Sequence, residues 1–207
     1  MIRGARWGNA FEAVVLGASR GGVEALGRVI AKLPAEFPLP LLVVEHRRDS
    51  ADSTLASHLG AQSRLRVKEA EDKEPLAAGT IFLAPGGYHL LVERDRTLSL
   101  SVDAPVHYCR PSIDVLFDTA AEAFGARLVG VVLTGFGCDG AAGLARIARD
   151  GGTAIVQDPR TAEAPEMPLA ALERTKTNAV LGLDEIGALL AEIGSAVLRC
   201  GTARGVA

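Results

Sequence analysis

The chain has 207 residues, a formal net charge of −3 and 48% hydrophobic residues, which suits one large domain with a sizeable core. Aromatics are only 4%, so that core must be built from Ala, Val, Leu and Ile. A near-neutral chain without a basic run has no footprint for nucleic acid, and no apolar stretch reaches the roughly 18 residues of a membrane span.

Short apolar runs alternate with helical patterns along the chain. EAVVLGA (12–18) reads as a buried strand, and GGVEALGRVIAKLP as a helix in which Val23, Leu26, Val29, Ile30 and Leu33 recur at helical spacing until Pro34 ends it. PLLVVEH (40–46) is a second buried strand, and DSTLASHLGAQ a short helix capped by Asp52 or Ser53. RLRVKEA and GTIFLAPGG are two more short strands. YHLLVERDRTLSLSV alternates around Arg94, Asp95 and Arg96, which predicts a β-hairpin. PSIDVLFDTAAEAFG is a helix whose Ile113, Leu116, Phe117, Ala120 and Phe124 share one face. RLVGVVLTG is a buried strand, DGAAGLARIARDGG a helix, TAIVQD a strand, and PEMPLAALERTK and DEIGALLAEIGS helices. The alternation predicts an α/β fold: a doubly wound, mostly parallel, Rossmann-like sheet with helices on both faces and one antiparallel hairpin.

The first ten residues, MIRGARWGNA, are followed by no apolar h-region, so no signal peptide is read. Cys109, Cys138 and Cys200 make neither a disulfide framework nor a metal spacing, and a cytoplasmic, reducing compartment is the simplest reading. No cofactor and no metal is expected.

In a parallel sheet, ligands bind beyond the carboxyl ends of the strands. Three reactive groups fall there: Ser19 after the first strand, His46 at the end of the second, and Asp139 after VVLTGFGC. A serine hydroxyl needs an imidazole to take its proton, and the imidazole needs a carboxylate to fix its tautomer. GASRG also matches the G-x-S-x-G pattern of a nucleophile turn, whose following helix points free N–H groups at the site. The order Ser, His, Asp differs from the Ser, Asp, His of α/β-hydrolases. Taken singly, Ser19 also reads as a helix cap or a phosphate turn, His46 as a surface histidine, and Asp139 as a cap. The coincidence of the three favours a triad.

At these residues the sequence resembles the catalytic domain of bacterial protein-glutamate methylesterases, the chemoreceptor demethylating enzymes. The matching blocks are GASRGG, VEH, VKEAED (67–72), FLAPGGYHL, CRPSIDVLF (109–117), GVVLTGFGCDGAAGL (130–144) and EMP (166–168), collinear from about Ala13 to Ile193. The resemblance implies a serine hydrolase with Ser19 as nucleophile, His46 as base and Asp139 as orienting acid. Its substrate would be a glutamyl γ-methyl ester on the cytoplasmic helices of a methyl-accepting chemoreceptor, with deamidation of receptor glutamines as a second activity. Oxyanion and substrate contacts are expected from Arg20, Gly21, Phe136, Gly137 and Arg110.

The sequence departs from the family pattern at Arg20 (usually Thr), Glu45 (usually Gln), Arg47 and Arg48 (commonly Met-Pro), Phe136 (usually Met) and Cys109 (usually His). These changes bear on substrate choice. Arg20, Arg47, Arg48 and Arg110 would form a basic rim that steers acidic helices. Family members often carry an N-terminal receiver domain that covers the active site until it is phosphorylated. Here the first strand begins almost at once, so the expected plan is a flexible 1–10, a catalytic domain over 11–195 and a flexible 196–207. Such a chain would be active without phosphorylation unless a separate regulator protein masks the site. A non-catalytic module that binds a partner in chemosensory-type signalling, and a triad hydrolase for another protein ester, are the alternatives.

Overall fold

The structure, a computed structural model, describes residues 11–46 and 54–203, with side chains as far as residue 200. The expected caps Asp52 and Ser53, and the expected rim residues Arg47 and Arg48, lie outside the described residues. Seven strands form one parallel sheet. They are β1 (Ala13–Ala18), β2 (Leu41–Glu45), β3 (Arg66–Glu69), β4 (Thr80–Leu83), β7 (Leu128–Val132), β8 (Thr153–Gln157) and β9 (Ala179–Leu181). Their order is β3-β4-β2-β1-β7-β8-β9. The hairpin read around residues 94–96 is present as β5 (His89–Val92) and β6 (Leu98–Ser101), an antiparallel pair outside that sheet.

Both faces of the sheet are covered. Side chains alternate along β1, so Val14, Leu16 and Ala18 enter one core while Ala13 and Val15 enter the other. Helices α1 (Gly22–Ile30), α2 (Thr54–Gly60) and α6 (Leu183–Ala203) pack on the first core. Helices α3 (Ile113–Phe124), α4 (Ala141–Arg149) and α5 (Glu166–Arg174), with the hairpin, pack on the second. This burial on both sides is why the strands read as unbroken apolar runs.

Two features differ from the expectation. Edge strand β9 has only three residues, of which Ala179 alone is buried, so its sequence carries no strand signal. It is held in place by Asn178, whose N–H donates to Ala154 O and whose side chain accepts from Ala154 N–H, both at 2.8 Å. The last helix does not stop at residue 195. It runs on to Ala203, because Val197 still finds the first core to pack against.

Candidate active site

The parallel register brings Ser19 and His46 together. Ala18 lies opposite Glu45, so the next residue on each strand is a member of the expected triad. The N–H of His46 donates to Ala18 O at 3.1 Å and locks that pairing at its end. β7 flanks β1 on the other side, and its continuation delivers Asp139. Three segments far apart in sequence thus end at one edge of the sheet, where β1 is the central strand.

Ser19 sits in a tight turn. Its N–H donates to Thr134 O at 3.0 Å and its carbonyl accepts from Gly22 N–H at 2.6 Å. The turn closes through Gly21 at φ 74°, a left-handed conformation that glycine adopts without penalty, and α1 starts there. Thr134 binds three loops at this point. Its hydroxyl donates to Arg20 O (2.9 Å) and accepts from Ala164 N–H (2.9 Å), while its N–H donates to the Gln157 side chain (2.8 Å). Gly135 follows, and a Cβ there would lie 2.7 Å from Ser19 Cβ and overlap the Met167 sulfur. Only glycine leaves room for the serine.

Asp139, with 2% exposure, is an acceptor surrounded by donors. Oδ1 accepts from Ser112 Oγ (2.9 Å), Asp114 N–H (2.9 Å) and Gly140 N–H (3.0 Å), and Oδ2 from Ile113 N–H (2.7 Å). The remaining partner of Oδ2 is His46 Nε2 at 2.7 Å. Burial alone would raise the Asp139 pKa, but His46 and the N–H groups at the start of α3 outweigh it and hold it below the ordinary carboxylate range. Burial likewise opposes a charged His46, yet the Asp139 carboxylate and the Cys109 thiol overcome it and raise its pKa to about 9.

The carboxylate therefore holds Nε2 as the N–H, and Nδ1 is the nitrogen left to act as a base. Nδ1 faces Cys109 Sγ at 3.6 Å. Among the described residues Ser19 Oγ makes no hydrogen bond to His46; the two are neighbours by register. Among the described residues the N–H groups of Arg20, Gly21, Phe136 and Gly137 donate to no protein group. They lie on the two turns that flank Ser19. A surface hollow of about 580 Å3 beside the hairpin is lined by Lys73, Glu93, Arg94 and Glu122 and lies away from Ser19, His46 and Asp139. Convergence of polar groups marks the candidate site.

The chain matches the family profile described as CheB methylesterase over residues 14–190. It belongs to the CheB methylesterase family. It is similar to a putative protein-glutamate methylesterase/protein-glutamine glutaminase of Leptospira interrogans, 44% identical over 86% of this chain and 93% of that protein. A protein-glutamate methylesterase/protein-glutamine glutaminase of Caulobacter vibrioides is 42% identical over 87% of this chain, but the match spans only 53% of that longer protein. Among solved structures, the CheB methylesterase catalytic domain of Thermotoga maritima is similar over 89% of this chain and all of its own length, with a TM-score of 0.85 and 34% identity.

Against this family background, the departures fall into place physically. Arg20 pairs with Glu163 at 3.3 Å, and its guanidinium lies 5.4 Å from the centre of the Phe136 ring. Phe136, 54% exposed, thus stands at the surface and not beneath His46 and Asp139. Arg110 Nη1 donates to Val102 O (2.8 Å) and Asp103 O (3.2 Å). Glu45 points to the α1 side of the sheet, over Gly22, as strand alternation requires. His89 is buried and structural, while His58 pairs with Gln62 on the surface. His107 stands beside the site, with Nε2 3.2 Å from Asp114 Oδ2. Reasoning from sequence gave no role to Ser112, Thr134, Gly135, Gln157 or Glu163. The first three lie inside the RPSIDVLF and LTGFG blocks, which were the available signal.

Proposed function

We propose that this chain is a serine hydrolase that demethylates glutamyl γ-methyl esters on the cytoplasmic helices of a chemoreceptor and deamidates glutamines at equivalent positions. The reading rests above all on the dyad of His46 and buried Asp139 standing at the register position next to Ser19. Family membership supplies the substrate class.

In this mechanism Ser19 Oγ attacks the ester carbonyl while His46 Nδ1 takes its proton. Asp139 keeps the proton on Nε2 and stabilises the imidazolium that forms. The developing oxyanion is met by backbone N–H groups from the turn at Arg20 and Gly21 and from the turn at Phe136 and Gly137. Each donor of this kind contributes roughly 3–4 kcal/mol to the barrier it lowers. His46 then returns the proton to the departing methoxide, and methanol leaves. Water, deprotonated by the same nitrogen, hydrolyses the acyl-enzyme to glutamate and free Ser19. With a glutamine substrate the leaving group is ammonia and the other steps are unchanged.

Arg20, Glu163 and Phe136 form the rim that the receptor helix meets. The ion pair neutralises Arg20, so the rim offers a planar cation over an aromatic face more than a free positive charge. The decisive assay is methanol release from methylated receptor by the wild-type protein and by Ser19→Ala. Release by the wild type with none by the variant is expected. Equal release by both removes Ser19 from the reaction. Turnover of a small ester without any release from receptor means another protein ester is the substrate.

A further inference from the structure

Cys109 Sγ and His46 Nδ1 face each other at the spacing that two ligands of one metal ion take. A zinc ion bound tetrahedrally holds nitrogen at 2.0–2.1 Å and sulfur at about 2.3 Å, which separates the two donor atoms by about 3.6 Å. Cys109 Sγ and His46 Nδ1 are 3.6 Å apart. The third member of the cluster, Asp139, is already saturated by four hydrogen bonds besides the one to His46. It is therefore not a direct ligand. Instead it accepts from Nε2–H and leaves the Nδ1 lone pair free, as the outer carboxylate of a carboxylate–histidine–metal relay does.

The thiol is presented at the end of a tight turn. Val106 and Cys109 exchange backbone hydrogen bonds at 3.1 and 2.9 Å, closing a turn across His107 and Tyr108. Both of those residues are left-handed, at φ 51° and 62°, a conformation that costs a non-glycine residue roughly 1–2 kcal/mol. Such strain persists where the surroundings impose it, commonly at ligand sites. The neighbouring pair, Cys138 Sγ and His107 Nδ1, repeats the pattern with Asp114 behind the imidazole, but its 3.9 Å separation is wider than a tetrahedral ion spans.

We propose that Cys109 and His46 form a binding site for a thiophilic divalent cation, zinc being the ion that fits, with water completing the coordination. On binding, the Cys109 thiol and the His46 imidazolium (from Nδ1) each release a proton to solvent, and the thiolate and the neutral Nδ1 each donate a lone pair. If His46 is the base of the hydrolase proposed above, an ion on Nδ1 holds the nitrogen that must take the Ser19 proton. Zinc then inhibits reversibly, and Cys109 makes this chain sensitive to it.

Cobalt(II) titration of the full chain tests the site without reference to activity. The expected result is one equivalent bound with a sulfur-to-cobalt charge-transfer band in the near ultraviolet, discharged by zinc. The band should be lost in Cys109→Ser and in His46→Gln, and should persist in Cys138→Ser and Cys200→Ser, with circular dichroism showing each variant folded. No band in the wild type, or a band that survives Cys109→Ser, overturns the proposal. Loss of the band in Cys138→Ser alone also overturns it, because the other thiol is then the ligand. Zinc inhibition of small-ester hydrolysis, relieved by a chelator, is read separately. A normal cobalt band on a chain with no hydrolysis under any condition leaves the metal site standing and removes the hydrolase reading.

Discussion

Replacing Asp139 with asparagine changes one atom and tests both the fold and the proposed chemistry. The carboxylate has no donor of its own and meets five, so an amide nitrogen in either position faces a hydrogen it cannot accept. With the nitrogen at the Oδ1 position, the N–H groups of Asp114 and Gly140 lose their acceptor. With the nitrogen at the Oδ2 position, Ile113 N–H loses its acceptor and His46 must accept at Nε2. Each buried N–H left without a partner costs about 1–3 kcal/mol. Losing one or two therefore lowers Tm by several degrees, at about 2–4 °C per kcal/mol for a chain of this size. The second orientation also moves the imidazole proton to Nδ1, the nitrogen that should be the base. A wrong tautomer of this kind lowers kcat by about 10^4. Thermal melts together with small-ester kinetics separate the two effects. A variant that melts lower as expected but keeps its kcat would show that Asp139 is structural and that His46 needs no orienting acid.

Three further outcomes follow from the same geometry. His46 carries a pKa of about 9, so near neutral pH roughly one imidazole in a hundred is free to act as a base. Activity in the presence of a chelator should rise with pH through about 9 and fall away below it, and Cys109→Ser should shift that limb toward neutral. A limb near 6.5, the ordinary value, would contradict the part assigned to Asp139 and Cys109. The effect on stability has the opposite sense: a raised folded pKa stabilises fully below 6.5, and that contribution is lost as pH rises through about 9. Gly135→Ala presses a methyl group against Ser19 and Met167, so about 1–3 kcal/mol of stability is expected to go, with a larger proportional loss in kcat because the nucleophile is what moves. Unchanged kinetics would mean that Ser19 tolerates displacement. Arg20→Thr removes an exposed ion pair and should change stability by less than about 1 kcal/mol. It should alter KM for methylated receptor while leaving KM for a small ester alone, and a uniform change for both substrates would place Arg20 outside receptor recognition.

The parallel sheet was legible because β1, β2, β7 and β8 are buried on both faces and are apolar along most of their length. Ser19 and His46 were legible as candidates because each directly follows such a strand, and Asp139 because it lies on the loop between β7 and the next helix. β9 was not, since a three-residue edge strand with one buried side chain has neither length nor periodicity. The thiol–imidazole pair was also out of reach. Cys109 and His46 are 63 positions apart, and metal donors brought together from different elements leave no short spacing to read. The roles of Thr134 and Gly135 depend on what lies across the turn, which a linear pattern does not encode.

The strand order has a consequence for how the chain reaches this state. β1, the first of the seven strands in chain order, is the central strand, yet its partner β7 pairs Ala13 with Leu128 and is synthesised long afterwards. Contacts this remote in sequence pay their loop-closure entropy before they stabilise anything, and they form slowly. Until β7 arrives, β1 has an open apolar edge, the kind of surface that associates wrongly with other chains. Asp139 lies just beyond β7, so the dyad with His46 cannot exist in any nascent chain that lacks that strand. Recovery of esterase turnover during refolding should therefore track the closing of the β1–β7 seam and lag behind the growth of helical signal.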